Sequence, residues 1–144
     1  MALPKSNSAK ILVAEDDVLI ALSLQQTLSL FGFEVVGIAA TVGDALCLAQ
    51  NTRPDLAVFD IELAGKRDGI EGAALLRSLL DIPVVFLTGQ GDEATRARAN
   101  SIHPAAFLCK PASTQQIVAA VEEALRNTFD GAARPGHYPT SAPS

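Results

Sequence analysis

The chain has 144 residues, 49% of them hydrophobic and 19% charged, which suits one packed domain and excludes global disorder. Eleven Lys and Arg against 16 Asp and Glu leave a net charge of −5, which excludes the basic surface that sequence-independent nucleic-acid binding needs. No apolar run is long enough to span a bilayer and residues 1–8 lack the apolar segment of a secretory signal, so no membrane contact and a cytoplasmic location are expected.

Residues 1–8 read as a loose polar leader. Residues 10–14 are a short apolar run of the kind found in strands buried on both faces. Residues 18–31 turn helical, with Leu19, Leu22, Gln26 and Leu30 sharing one side, and Gly32 closes the helix as a C-cap. A second strand is expected over 34–38. Thr41 then caps a helix over 42–50 that points Leu46 and Ala49 inward, and Arg53-Pro54 breaks it. A third apolar run, 56–60, ends in Asp60. A turn-rich loop over 65–69 leads into a helix over 70–80 whose apolar face is Leu75, Leu76 and Leu79.

Pro83 opens the fourth run, 84–87, which ends in Thr88-Gly89. Asp92 caps a helix reaching Asn100, with Glu93 in its first turn. The fifth run, 105–109, ends in Lys110-Pro111. Ser113 caps the last helix, where Ile117, Val118, Val121 and Leu125 recur at helical spacing. Residues 128–144 are rich in Pro and Gly and read as a disordered tail. Cys47 and Cys109 form neither a disulfide framework nor a zinc spacing. They are expected to be small buried apolar groups, in preference to a redox pair.

Strand then helix, five times over, is the pattern of an α/β fold with a doubly wound parallel sheet. In such sheets, ligands bind outside the carboxyl ends of the strands. Those ends deliver Glu15-Asp16, Asp60, Thr88 and Lys110. Three crowded carboxylates repel one another unless a cation intervenes, and an oxygen-lined, partly hydrated site suits Mg²⁺. A hard cation, a lysine and a threonine hydroxyl around one aspartate make a phosphoryl site, in which the aspartate can be the covalent acceptor.

Residues 11–17, 56–60, 84–89 and 108–111 resemble the receiver domain of two-component response regulators, and the likeness covers about residues 9–127. The resemblance implies a five-stranded flavodoxin-like (βα)5 fold of strand order 2-1-3-4-5. It implies Asp60 as phosphoacceptor and Glu15 and Asp16 as the acidic pocket, with Asp16 favoured as the direct ligand of Mg²⁺. The backbone carbonyl of Glu62 is expected as a further ligand. Lys110 pairs with phosphoryl oxygens, Thr88 is the switch hydroxyl, and Pro111 follows the lysine through a cis peptide. Phe107 takes the switch-aromatic position, with plain core packing as the competing reading.

Three departures stand out. The loop after Asp60 carries Ala64 where Pro is commoner, and it is one residue longer. Phe107 replaces the more frequent Tyr and offers no phenolic hydrogen bond. Glu62 and Gln90 occupy variable flanking positions. His103 and His137 have no ligand-spaced company, and Arg96 and Arg98 read as a solvated helix face able to meet a partner.

The expected function is Mg²⁺-dependent transfer of a phosphoryl group to Asp60 from a sensor histidine kinase or histidine phosphotransfer protein. The chain is then an enzyme only in catalysing its own phosphorylation and dephosphorylation. About 17 residues remain after Asn127, too few for a DNA-binding output domain, so a downstream protein target is expected. The chain is either a stand-alone receiver or a piece of a longer protein, and a homodimer stays open. Two alternatives remain: a degenerate receiver that binds proteins without phosphorylation, and a small-molecule aspartyl-phosphate phosphohydrolase using Glu62 as its second acid.

Overall fold

A computed structural model describes residues 8–65, 68–89 and 91–129; the expected leader up to residue 7, the tail from residue 130, and Gln90 and His137 lie outside them. Five strands alternate with five helices in chain order: β1 (Lys10–Ala14), α1 (Val18–Leu30), β2 (Glu34–Ala39), α2 (Val42–Thr52), β3 (Leu56–Phe59), α3 (Gly69–Leu80), β4 (Val84–Thr88), α4 (Glu93–Asn100), β5 (Ala106–Cys109) and α5 (Thr114–Phe129). The strands form one parallel sheet in the order β2-β1-β3-β4-β5, as the resemblance implies.

Burial follows strand position. All of β3 and β4 is buried, and β1 is buried beyond Lys10, so these strands read as continuous apolar runs. The edge strands β2 and β5 are mostly half-exposed. Alternate residues feed two cores. On one face Leu12, Phe59, Val84 and Phe86 pack with Ala45 and Ala49 of α2, Ile70, Ala73 and Leu76 of α3 and Ala99 of α4. On the other, Ile11, Val13, Val58, Val85 and Leu87 pack with Leu24 and Leu28 of α1 and Ile117, Val121 and Leu125 of α5.

The expected caps Thr41, Asp92 and Ser113 are in place, and Asp17 caps α1. Asp17 accepts from Leu19 N–H and Ile20 N–H, Thr41 from Asp44 N–H, and Asp92 from Thr95 N–H. Ser113 and Gln116 make a reciprocal capping box: Gln116 N–H donates to Ser113 Oγ at 3.0 Å and Ser113 N–H to Gln116 Oε1 at 2.9 Å. At the end of α1, Gly32 takes φ +92°, Gly32 N–H bonds Ser29 O and Phe33 N–H bonds Leu28 O. That is a Schellman closure, which a side chain at Gly32 would strain.

Several expectations need correction. The side of α1 shared by Leu19, Leu22, Gln26 and Leu30 faces outward, with Leu19 79% and Leu30 82% exposed; Ala21, Leu24 and Leu28 fill the core. The helix is apolar on both sides, so periodicity alone could not choose its inner face. In α3, Leu79 is exposed, and the inner face is Ile70, Ala73 and Leu76. Both cysteines are exposed: Cys47 lies on the outer side of α2 and Cys109 ends an edge strand. The last helix runs to Phe129, two residues into the expected tail.

Candidate functional site

The sheet itself positions the polar residues. Beyond the strand ends, Glu15 N–H donates to Ala39 O at 2.8 Å, Asp60 N–H to Ala14 O at 2.9 Å and Lys110 N–H to Thr88 O at 2.8 Å. Each residue thus continues the ladder by one step, and its side chain emerges at the carboxyl edge. The winding reverses between β1 and β3, which opens the crevice there.

Lys110 links two strand ends. Its ammonium donates to Glu15 Oε1 at 2.8 Å and to Asp60 Oδ2 at 3.0 Å. The remaining oxygens are held by backbone: Asp17 N–H donates to Glu15 Oε2 and Glu62 N–H to Asp60 Oδ1, both at 3.1 Å. Glu15 is 3% exposed and Asp60 5%. Burial pushes the Glu15 carboxyl above its usual range; Lys110 and the Asp17 amide oppose this, and the charge of Asp60 adds to it. Burial alone would lower Lys110, but its hydrogen bonds to Glu15 and Asp60 win and hold it above 10.5. The lysine is therefore a permanent cation at neutral pH.

One carboxylate oxygen each from Glu15, Asp16 and Asp60 lies within 4.8 Å of the other two. An all-oxygen donor set open on one side fits a hard divalent cation that keeps several waters, as Mg²⁺ does. Asp16 is the solvent-facing member, whereas both oxygens of Glu15 are already hydrogen-bonded. The Glu62 side chain is exposed and stands outside this cluster; its backbone amide is what reaches Asp60.

Thr88 closes β4 fully buried and pairs in register with Cys109. Phe107 is half-buried, its ring centroid 6.1 Å from that of Phe86 and tilted by 58°. Pro111 follows Lys110 through a cis peptide. Together with Leu19, Leu24, Leu87 and Ile117, these two residues line a cavity of about 530 Å³ between α1 and the start of α5.

Sequence spacing does not reveal the contacts that cross between elements. Asp17, the N-cap of α1, also orients Glu15. Arg98, expected on a solvated face, donates to Asp68 at 2.6 Å, and Arg96 lies 4.5 Å over the Phe107 ring. Asp68 also caps α3, accepting from Glu71 N–H at 2.9 Å. Burial raises the Asp68 carboxyl, but the Glu71 amide and Arg98 outweigh it and leave it below 3.8. Its contribution is therefore present above pH 3.8 and is lost as the pH falls through the depressed value. Asp68→Ala is expected to lower stability by about 1 kcal/mol at pH 7, mostly as a lost cap because the ion pair is solvent-screened. Urea unfolding at pH 7 and pH 3 checks this: the difference from wild type should shrink at the lower pH.

Comparison with known proteins agrees with this geometry. Residues 11–122 match the family model described as response regulator receiver domain. The transcriptional regulatory protein PdtaR of Mycobacterium tuberculosis is 34% identical over 116 residues, covering 81% of this chain and 56% of PdtaR. The phyllosphere-induced regulator PhyR of Methylorubrum extorquens is 29% identical over 82% of this chain and 44% of its own length. The chain thus spans about half the length of these relatives. Among solved structures, a CheY-like receiver domain protein of Methanospirillum hungatei superposes with a TM-score of 0.80 at 27% identity, over 85% of this chain and 98% of the other. The signal receiver domain of a modulated diguanylate cyclase from Desulfovibrio desulfuricans also gives 0.80, at 32% identity over 85% and 97%. No helix among the described residues is long and apolar enough to cross a membrane. With the five-stranded order, the lysine-bridged carboxylates and the family match in agreement, the chain belongs to the response regulator receiver domain family of two-component signalling.

Proposed function

We propose that this chain accepts a phosphoryl group on Asp60 from a phosphohistidine carried by a sensor histidine kinase or a histidine phosphotransfer protein. The observation that carries this reading is the Lys110 ammonium shared between Asp60 and Glu15 beside the solvent-facing Asp16. A carboxylate oxygen of Asp60 attacks phosphorus, the P–N bond breaks, and the imidazole leaves with the electron pair. Lys110 moves from its carboxylate partners to the phosphoryl oxygens. Asp16 and Asp60, with Glu15 behind them and the Glu62 carbonyl beside them, would hold Mg²⁺, which supplies positive charge against those oxygens when bound. Thr88 then donates its hydroxyl to the phosphoryl group, and Phe107 follows.

The surface beside the site supports a helical partner. Val18, Leu19 and Leu22 of α1 are exposed, and the cavity walled by Leu19 and Pro111 adjoins Lys110. A donor helix laid there brings its histidine over the crevice. The added group carries about −1.5 to −2 charge at neutral pH, enough to bias a two-state element. The readout is a protein-interaction face around α4, β5 and α5, with a protein as downstream target.

The test is intact mass after incubation with Mg²⁺ and acetyl phosphate, beside an Asp60→Asn variant. A single phosphate adduct that needs Mg²⁺ and is missing from the variant is the expected outcome. An adduct that survives Asp60→Asn refutes the assignment of the acceptor. No adduct from acetyl phosphate or from any phosphohistidine donor identifies a binding module whose site has become structural.

A further inference from the structure

The helix α4 is the least buried of the five helices. It has eight residues (EATRARAN), and Ala99 is its one buried residue. An apolar stripe does not hold it, so its position depends on polar contacts at its ends and sides. Asp92 caps its start by accepting from Thr95 N–H. Two arginines, two positions apart and so on opposite sides of the helix, reach in opposite directions.

Arg98 reaches toward the acceptor side, where its guanidinium meets Asp68 at 2.6 Å. Asp68 is the N-cap of α3. The first residue of that helix, Gly69, donates its N–H at 2.8 Å to the carbonyl of Ile61, the residue after Asp60. The chain of contacts from Arg98 to Ile61, the neighbour of Asp60, is therefore one ion pair, one peptide unit and one backbone hydrogen bond. Arg96 reaches toward β5, where it covers the Phe107 ring at 4.5 Å and approaches Cys109 Sγ at 3.5 Å. Cys109 pairs with Thr88 across the sheet and precedes Lys110. Arg96 thus ends beside Lys110 and Thr88, and Arg98 on the cap of the helix whose first residue bonds Ile61.

We propose that Arg96 and Arg98 form a two-point latch that holds α4 against the resting domain and couples its position to Asp60. Arg96 also replaces what Phe107 lacks. A phenol would hold its ring by a hydroxyl; here a cation on the ring face does so. Moving Phe107 costs the Arg96 contact, and displacing the start of α3 costs the Arg98 pair. Neither contact is strong alone, because both arginines are solvent-exposed. Weak tethers suit an element that must be released by a change of charge nearby. The coupling half of this proposal rests on the phosphoacceptor reading; the latch in the resting domain does not.

Hydrogen exchange of the full chain, followed by mass spectrometry, tests both halves. In the absence of donor, the Arg96→Ala/Arg98→Ala double variant should exchange the amides of α4 on the order of tenfold faster than wild type, with α3 and α5 unchanged. Arg98→Lys should retain part of the protection. In wild type treated with Mg²⁺ and acetyl phosphate, with the adduct verified by mass, α4 should move toward the exchange rate of the double variant. Unchanged α4 exchange in the resting double variant overturns the latch. A verified adduct that leaves α4 fully protected overturns the coupling. If no adduct forms with acetyl phosphate or with a phosphohistidine donor, the reading of Asp60 fails, and the resting comparison still decides the latch.

Discussion

Lys110→Met is expected to destabilise the domain by about 2–3 kcal/mol at pH 7.5 without metal, and by clearly less at pH 5. The ammonium is the shared partner of two nearly buried carboxylates, at 2.8 Å from Glu15 and 3.0 Å from Asp60. Methionine keeps the length and apolar stem of lysine but leaves both acids facing each other. Breaking a buried pair from one side costs about 3–5 kcal/mol. The lower figure applies here because Lys110 keeps 22% of its side-chain surface in water and because Glu15 can take up a proton.

The sign follows from the pKa directions. Lys110 is raised in the fold, so its stabilisation is complete below 10.5 and is lost as the pH climbs through the raised value. Glu15 is also raised, chiefly by burial, so its ionised form carries a penalty that vanishes below 4.5 and grows as the pH rises through its folded value. Removing the lysine removes one of the pulls opposing that rise. Acidification therefore rescues the variant by neutralising Glu15. Lys110→Met/Glu15→Gln should recover part of the loss at pH 7.5, a coupling between touching residues that separate losses cannot give. Urea unfolding of wild type, Lys110→Met, Glu15→Gln and the double variant at the two pH values measures this. An equal loss at both would mean that packing, not charge, sets the effect. Under the proposed chemistry, phosphorylation of the single variant should also slow roughly a hundredfold, the usual cost of losing one preorganised donor to a developing charge.

The strand cores were legible because continuous apolar runs bounded by turn residues have few other uses in a chain of this size. The strand-end residues were legible for a related reason. In a parallel sheet, position after a strand is position in space, so the sequence alone brings Glu15, Asp60, Thr88 and Lys110 to one edge. What the sequence hid falls into three physical classes. First, a helix with no charged residue offers no polar face to mark its outside. Val18, Leu19, Leu22 and Leu30 therefore stay exposed, while Ala21, Leu24 and Leu28 turn in. Second, contacts between side chains far apart in sequence depend on rotamers and helix placement. Arg98 with Asp68, and Arg96 with Phe107, are separated by 30 and 11 positions and carry no local signature. The cysteines illustrate a third case, in which a residue's average burial misled. Each fits a buried apolar role by type, and each stands on an outward position by register.

Gly69→Ala is expected to cost about 3 kcal/mol and to cripple the site as well. Gly69 opens α3 fully buried, with its N–H on the Ile61 carbonyl at 2.8 Å. A Cβ there would collide with the Asp60 carbonyl oxygen and come within 2.7 Å of Ile61 Cα and 2.9 Å of Ile61 O. These are all backbone atoms, so no rotamer change can relieve the clash. Either α3 retreats or the end of β3 shifts, and the second option drags Asp60 away from Lys110. A displacement near 1 Å at a reacting group can cost about a hundredfold in rate.

Gly72→Ala is the matched control, one turn along the same helix. Its Cβ would meet Val42 Cγ2 at 2.9 Å, Val42 Cγ1 at 3.0 Å and Phe59 Cε2 at 3.2 Å. Those are side chains of α2 and β3 that can give by a few tenths of an ångström, so about 1–2 kcal/mol is expected there, with the acceptor geometry kept. Denaturant unfolding ranks the two variants by stability. The rate of adduct formation with acetyl phosphate and Mg²⁺, measured where both are folded, separates them by function. A Gly69→Ala protein as stable as wild type would show that α3 can start elsewhere. A Gly72→Ala protein that loses phosphorylation as severely as Gly69→Ala would place the sensitivity in the α2–α3 packing and not in the backbone contact beneath Asp60.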